Sequence, residues 1–136
     1  MAEEHVGKAL MQRYVELMTG ADDSIIDEIF PPDFVDHVSG RTGREIWRMV
    51  RHWGTESFGD LRVEVHSVMT EGDRVMIWLT TTGKHIGNGF PFLAGKPITG
   101  REVSWDGVHF FRVENNQLAE HWAVRNDLSL IRQLEA

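Results

Sequence analysis

The stretch VSWDGVHFFRVENNQLAEHWAVR, residues 103–125, decides the fold. Side chains of a β-strand alternate between two faces, so every second residue of its first half belongs to one face. That face collects Val103, Trp105, His109, Phe111 and Val113. Asn115 and Asn116 suit a tight hairpin, because asparagine tolerates left-handed backbone angles. The stretch therefore predicts two neighbouring antiparallel strands, over 101–113 and 118–125.

Two further strands are predicted upstream of this hairpin. Apolar and polar residues alternate over 61–66 and over 75–80, and Glu71-Gly72-Asp73 between them is typical of a turn. The segment 87–100 is rich in Gly and Pro but contains Phe90 and Phe92, which predicts a loop with apolar contacts. Two interpretations of this loop stay open, a mobile lid over a pocket or a contact between two copies of the chain.

Helices precede the strands. Apolar residues recur at helical spacing from about residue 3 to residue 19, with Glu3 and Glu4 at the positive end of the helix dipole. Thr42-Gly43-Arg44-Glu45 has the form of a capping box and is expected to open a helix that ends near Gly54. The other helices are expected over 22–29, before the prolines at 31 and 32, and after a cap at Asn126 or Asp127.

Helices followed by an antiparallel meander indicate the α+β class. The length of 136 residues fits a single domain over 1–136. Strands this long must twist and curl, so we expect a curved antiparallel sheet covered by the N-terminal helices, with an apolar pocket between them.

Charge and composition exclude several function classes. The net charge is −7 with no cluster of Lys and Arg, which argues against nucleic-acid binding and against a basic membrane patch. The absence of cysteine excludes disulfides, a thiolate nucleophile and cysteine-ligated metals. No apolar run is long enough to span a bilayer and the N-terminus is unlike a signal peptide, so we expect a cytoplasmic protein without a membrane partner.

His109 and His121 are the first candidates for chemistry. Their strands are neighbours across the hairpin, and His121 shares a face with Ala119 and Ala123. An imidazole exchanges protons near neutral pH, and an apolar surrounding favours its neutral, basic form. The alternative is a pair of structural histidines that are hydrogen-bonded within the core.

Asp36, His37 and Asp127 are further candidates for catalysis. A carboxylate beside an imidazole can orient it, but adjacent strand residues point to opposite faces, so only one of Asp36 and His37 is expected in the pocket. Asp127 serves equally well as a helix cap. We expect the pocket to bind its substrate through aromatic side chains, namely Trp105, Phe111, Trp53, Phe90 and Phe92.

The chain resembles the SnoaL-like polyketide cyclases, the ester cyclase-like family of the nuclear transport factor 2-like superfamily. The segments that carry the resemblance are GKHIG (83–87), PITGREV (97–103), GVHFFRV (107–113), LAEHW (118–122) and LSLIRQL (128–134). The N-terminal helices and the FVDH segment at 34–37 fit the same pattern. The resemblance implies a cone-shaped α+β barrel and a cofactor-free intramolecular aldol condensation that closes a polyketide ring.

The resemblance also assigns roles, and one of them fails on this sequence. In the family a carboxylate just after the HW segment acts as the base, and a histidine on the neighbouring strand assists it. The histidine corresponds to His109, but the base position is Ala123, which cannot accept a proton. A second acidic position falls on Asn126, with Asp127 displaced by one residue. The pocket wall of the family corresponds to Asp36 and His37.

Three hypotheses follow. The first is an enzyme without metal or cofactor that uses pocket histidines for proton transfer in a cyclisation, isomerisation or hydration of a hydrophobic carbonyl compound. The second is a protein that binds such a molecule without converting it, as Ala123 suggests. The third is an interaction module that uses an exposed sheet face. We expect a homodimer in each case, and seven histidines without ligand spacing do not predict a metal site.

Overall fold

The computed structural model describes residues 2–136, with side chains from His5 onward. Glu3 and Glu4, which were expected at the dipole of the first helix, have side chains outside this described part. Four α-helices, five strands and one short 3-10 helix follow one another along the chain. In order they are α1 (Ala2–Thr19), α2 (Ser24–Ile29), β1 (Val35–Asp36), α3 (Glu45–Ser57), β2 (Phe58–Glu71), β3 (Arg74–His85), the 3-10 helix (Pro91–Leu93), β4 (Glu102–Glu114), β5 (Gln117–Arg125) and α4 (Asp127–Glu135).

The strands form one curved, open sheet in the order β1-β5-β4-β3-β2. The four long strands pair antiparallel, as predicted. The two-residue β1 pairs parallel with β5, with Val35 opposite Glu120 and Asp36 opposite His121. The expectation of an antiparallel sheet is corrected on this point, because the chain passes through α3 after β1 and does not return to β5 by a hairpin. The α+β class and the cone-like architecture are confirmed.

Irregular backbone bends the sheet and turns its hairpins. Pairing between β2 and β3 shifts register between Gly59 and Arg62 and again between Val65 and Ser67, and such bulges increase the local bend. Asn115 and Asn116 have φ angles of 52° and 61°, so the predicted asparagine hairpin is confirmed. Both residues lie in the left-handed region that this tight turn requires.

The third helix differs from its prediction at both ends. It begins at Glu45 after Arg44, which makes no side-chain capping bond, and it continues through Gly54 to Ser57. Thr42 pairs instead with Val35 in an isolated bridge, so the predicted capping box is wrong. At the last helix the expectation holds for Asn126, whose side chain accepts a hydrogen bond from the backbone of Ser129 at 3.2 Å.

The main core lies between α1, α2, α3 and the concave face of the sheet. Its aromatic centre is formed by Phe30, which stacks on Trp47 at 4.7 Å, and by Phe34. Phe111 is fully buried in this cluster. We predicted Phe111 as a substrate-binding residue, but the structure places it in the core rather than on the cavity wall, because α2 and α3 cover that part of the sheet.

A second cluster fastens the loop between β3 and β4. Leu93 from the 3-10 helix is fully buried among Phe58, Val103 and two leucines of α4. His85 is buried beside it and bonds to loop residues on both sides of its ring. The loop is therefore held at its 3-10 helix by packing and at its ends by polar contacts.

The convex face of the sheet carries exposed apolar side chains. Two rows of paired residues cross β3, β4 and β5 on this face. One row is Trp78, Val108 and Val124, and the other is Met76, Phe110 and Trp122. Exposure on this face reaches 43% for Trp78, 38% for Phe110 and 70% for Val124. Among residues 2–136, no helix combines the length and the apolarity that a bilayer crossing requires.

Candidate active site

A cavity of about 510 Å³ lies between the concave sheet face, α1, α3 and the 87–100 loop. Most of its wall is apolar or aromatic, which suits a hydrophobic ligand. The polar and charged side chains of the wall include Asp36, His109, His121 and Arg125 on the strands, together with Ser39, Arg41 and Arg51. The main aromatic wall residues are Tyr14, Trp47, Trp53, Phe58, Phe90, Phe92 and Trp105.

Strand pairing brings the polar groups together. Asp36 lies opposite His121 in the parallel pair, so both side chains point to the concave face. His121 lies opposite Phe111 in the antiparallel pair, and His109 lies opposite Ala123. His109 and His121 are therefore diagonal neighbours on the same face, with ring centroids 5.1 Å apart.

The three side chains form one hydrogen-bonded chain. Asp36 Oδ1 lies 2.8 Å from His121 Nδ1, and His121 Nε2 lies 2.8 Å from His109 Nδ1. The second carboxylate oxygen of Asp36 accepts from the hydroxyl of Ser39 at 2.6 Å and from its backbone N–H at 3.2 Å. The carboxylate is thus fixed by the loop after β1, and it in turn fixes both imidazole rings.

Burial and charge set the protonation states. Burial of Asp36 opposes its ionisation, but hydrogen bonds from His121 and Ser39 outweigh it and hold the pKa of Asp36 at about 2. Burial, together with the nearby His121 and Arg125, lowers the pKa of His109 to about 3. Burial also lowers the pKa of His121, against the opposing effect of Asp36. At neutral pH the carboxylate is ionised and both imidazoles are neutral.

These states decide which nitrogen carries each proton. An ionised carboxylate only accepts, so His121 donates from Nδ1 and keeps a lone pair on Nε2. That lone pair accepts from Nδ1–H of His109, and the Nε2 of His109 is left with an unshared lone pair. This assignment follows from the hydrogen-bond chain. The chain therefore ends in a basic nitrogen on a residue of the cavity wall.

Gly107 leaves space beside that nitrogen. It precedes His109 by two residues on β4 and lies on the same face. A methyl group at Gly107 would lie 3.4 Å from His109 Nε2 and 3.7 Å from Arg125 Cγ. The unpaired nitrogen and the Arg125 side chain therefore border the same small area of the cavity wall.

The other predicted site residues divide between the cavity and the outside. The cavity is lined by four of the residues that were predicted to bind substrate, namely Trp53, Phe90, Phe92 and Trp105. Asp36 is in the site but His37 is not, in agreement with the expectation that only one of them enters.

His37 and Asp127 lie outside the hydrogen-bonded chain. His37 stacks on Trp122 at 4.6 Å and bonds to Glu120 at 3.1 Å, away from the cavity wall. Asp127 lies in the first turn of α4 and accepts from Arg125 at 3.3 Å, and it is not a wall residue. The candidate roles of these two residues as proton-transfer groups have no support from their placement.

Sequence reasoning missed Tyr14, Trp47 and Arg125 as site residues. Arg125 continues the two-residue spacing of His121 and Ala123, so the same periodicity could have predicted that its side chain points inward. Trp47 precedes Val50 and Gly54 at helical spacing, and both of these line the cavity. The spacing of Tyr14 predicted a helix but gave no indication of the site. Only the tertiary structure brings α1 over His109, and the ring centroids of Tyr14 and His109 are 5.6 Å apart.

Among the side chains that the structure describes, no group of three or more His, Asp or Glu is arranged to hold a metal ion. The three groups at the centre of the site bond in a line rather than around a common point. The site is thus a linear row of hydrogen-bonded groups.

A curved open sheet that encloses an apolar cavity under N-terminal helices is the nuclear transport factor 2-like fold. TsrD from Streptomyces laurentii shares it with a TM-score of 0.83 at 24% identity, over 96% of this chain and 95% of that one. A profile of the SnoaL-like polyketide cyclases matches residues 8–134. The chain belongs to the SnoaL-like polyketide cyclase family.

Two relatives are similar over nearly the whole chain. Aklanonic acid methyl ester cyclase DauD from Streptomyces sp. (strain C5) is 28% identical over 131 residues, which is 92% of this chain and 79% of that protein. AclR from Streptomyces galilaeus, described as a candidate hydroxylase, is 33% identical with a TM-score of 0.82, over 99% of this chain and 82% of that one. The names of these two relatives thus indicate two different reactions.

Proposed function

We propose that this protein is a cofactor-independent enzyme that removes a proton from a carbon next to a carbonyl group and thereby closes a ring. The observation that carries the proposal is the chain Asp36–His121–His109, which ends in an unpaired nitrogen at an apolar cavity. Ring closure is the best supported outcome, because relatives at 28% identity are named as ester cyclases. Isomerisation of the same substrate class would use the same first step, whereas hydration would begin with removal of a proton from water.

The first step transfers a carbon-bound proton to His109 Nε2. The electron pair of the C–H bond moves into an enolate, and His109 becomes an imidazolium. Its positive charge is stabilised through His121 by the carboxylate of Asp36, which is the role of an acidic residue behind a histidine base. In this proposal Asp36 takes the part of the carboxylate that the resemblance places at position 123. Asp36 does not contact the substrate itself, because His121 and His109 lie between them.

The second step forms the ring. The enolate carbon attacks a second carbonyl carbon of the same molecule, a carbon–carbon bond forms, and the carbonyl oxygen becomes an alkoxide. Nε2–H of His109 returns the proton to that oxygen, so atoms and charge balance and the product is an isomer of the substrate. A base with a pKa of about 3 is weak, so the substrate carbon must be acidic, as a carbon between two carbonyl groups is.

The test compares two histidine substitutions. His109→Gln removes the base, and His37→Gln removes a histidine outside the cavity with the same change of side chain. Turnover of a panel of aromatic 1,3-dicarbonyl compounds, including aklanonic acid methyl ester, is followed by chromatography. We expect His109→Gln to lower kcat roughly 100-fold or more and His37→Gln to leave it within about twofold. Equal turnover by the two variants would overturn the proposal.

Ala123 favours a second candidate function, a protein that binds the same compounds without converting them. The observation is specific, because the residue opposite His109 on β5 carries no acid. Tight binding by the wild-type chain, with no turnover of any compound on the panel, would establish this alternative over the enzyme.

A further inference from the structure

We infer that Arg125 binds an oxyanion of the ligand, so that the cavity selects an aromatic carboxylic acid over its methyl ester. The inference rests on the proposed function in one respect, that the cavity between the sheet and α3 is the ligand site. It goes beyond that function because it states the charge of the ligand and the residue that selects it. In this respect it distinguishes the chain from the relatives that are named as methyl ester cyclases.

The position of Arg125 is the first support. It is the last residue of β5, and it lies on the concave face with His121 and Ala123. Its strand partner is Gly107, and its Cγ lies near the same point of the wall as His109 Nε2. A ligand group that contacts the guanidinium is therefore held beside the nitrogen that takes the proton.

The charge balance of the wall is the second support. The chain carries a net charge of −7, yet the residues that line this cavity include three arginines and one carboxylate. The carboxylate, Asp36, is already bonded to His121 and Ser39. Arg51 is likewise occupied, because it pairs with Asp23 and donates to the carbonyl of Gly20. Positive charge remains available at the wall, which favours an anionic ligand.

Arg125 retains donors for a ligand. Within the described part of the chain its hydrogen bond is a single one, to Asp127 at 3.3 Å, between side chains that are 37% and 42% exposed. An exposed pair of this kind contributes little. A guanidinium offers five N–H donors in a planar fork that matches a carboxylate, whereas a methyl ester presents no charge to it.

Arg41 is the other arginine of the wall, and its place is different. It lies in the loop after β1, and its guanidinium contacts the sulfur of Met49 at 3.6 Å. Arg125, by contrast, shares the strand face of the hydrogen-bonded chain. The charge of Arg125 acts on both His109 and His121, since it lowers the pKa of each. The guanidinium therefore lies in the electrostatic environment of the base.

The experiment measures the affinity of one ligand pair for four proteins. The probes are anthraquinone-2-carboxylic acid and its methyl ester, and quenching of tryptophan fluorescence reports binding, because Trp47, Trp53 and Trp105 line the cavity. The variants are Arg125→Gln, Asp127→Asn and Arg132→Gln. Arg132→Gln is the matched control, since it removes the same charge from α4 at a residue that does not line this cavity.

We expect the wild-type chain to bind the acid roughly tenfold more tightly than the ester. Arg125→Gln should remove that preference and leave ester binding unchanged, and Arg132→Gln should keep it. Asp127→Asn should strengthen acid binding by about two- to threefold, because it releases the guanidinium from the carboxylate of Asp127.

Two outcomes would overturn the inference. If the acid and the ester bind equally, or if Arg125→Gln keeps the preference, Arg125 does not select the ligand charge, while the proposed proton transfer is untouched. If neither probe binds, the cavity does not take aromatic acids of this kind, and the turnover assay on His109→Gln alone decides the proposed function. The two proposals therefore fail separately.

Discussion

His109 Nδ1 lies 2.8 Å from His121 Nε2, although the two residues stand diagonally rather than directly opposite on their strands. The direct strand partner of His109 is Ala123, whose methyl side chain leaves the His109 ring free to reach across to His121. The contact between the two rings connects His109 to Asp36 through His121.

Asp36→Asn should lower kcat roughly 100-fold with little change in KM. The amide can present either an oxygen or an NH₂ group to His121 Nδ1, so it no longer fixes the proton positions along the chain, and it carries no charge to stabilise the imidazolium. Steady-state kinetics measures the effect. Ser39→Ala is the control, since it removes one hydrogen bond of Asp36 and keeps the carboxylate. A wild-type kcat in Asp36→Asn would contradict the proposed role of Asp36 behind His121 and His109.

Stability should fall as the pH is lowered from about 6.5 toward 3. Burial lowers the pKa of His109 from 6.5 to about 3, so in this window the unfolded chain binds a proton that the folded chain does not. Each such histidine costs about 1.4 kcal/mol of unfolding free energy per pH unit. The depressed pKa of Asp36 removes further stability only below about pH 4.

Urea unfolding at several pH values tests this dependence. His109→Gln should reduce the slope of the unfolding free energy against pH, between pH 6 and pH 4, by the equivalent of about one proton. His37→Gln serves as the matched surface control. An unchanged slope in His109→Gln would show that His109 is not the group responsible.

Gly107→Ala should lower kcat/KM roughly tenfold without loss of stability. The added methyl group would lie 3.4 Å from His109 Nε2, an ordinary contact distance, so it fits the fold but covers the nitrogen that must reach the substrate. The tenfold figure corresponds to about 1.4 kcal/mol of lost transition-state stabilisation. Thermal unfolding of the variant is the necessary control, and normal kinetics in a stable variant would place the substrate elsewhere on the wall.

His85→Ala should release the loop over the cavity. His85 accepts at Nδ1 from the backbone N–H of Thr99 at 3.2 Å, so its Nε2 donates to Asn88 at 2.9 Å, and Asn88 donates onward to the carbonyl of Lys96 at 2.5 Å. Without the ring these half-buried groups lose partners, at a cost of about 1 kcal/mol or more. Hydrogen–deuterium exchange should rise over 87–100 and remain unchanged in β4. Thr99→Val keeps the backbone donor and should show a smaller rise.

The exposed apolar residues on the convex sheet face predict a homodimer. Trp78 and Phe110 lie on neighbouring strands in the middle of this face, and apolar surface of this kind on a soluble protein is typical of an interface. A two-fold pairing places the same patch on both copies. Light scattering should give twice the chain mass of 15.6 kDa, and Trp78→Glu should give the monomer. A monomeric wild-type protein would contradict this expectation.

The periodicity of residues 103–125 was enough to predict the β4–β5 hairpin and the inward direction of His109 and His121. The family came from the resemblance carried by several segments between residues 83 and 134. Strand faces and asparagine turns are local properties, so a single sequence carries them. The capping box at Thr42 failed because a bridge to Val35 competes for that residue, and this contact is not local in sequence.

The tertiary structure alone decided what the histidines do together. The parallel pairing of β1 with β5 brings Asp36 beside His121 across 85 positions of the chain, and a two-residue strand gives no periodic signal of its partner. The burial that keeps both imidazoles neutral comes from helices packed over the sheet. The ionised Asp36 then sets the proton positions along the hydrogen-bonded chain. The sequence alone determined the cavity and its histidines, and the long-range pairing determined the direction in which their protons point.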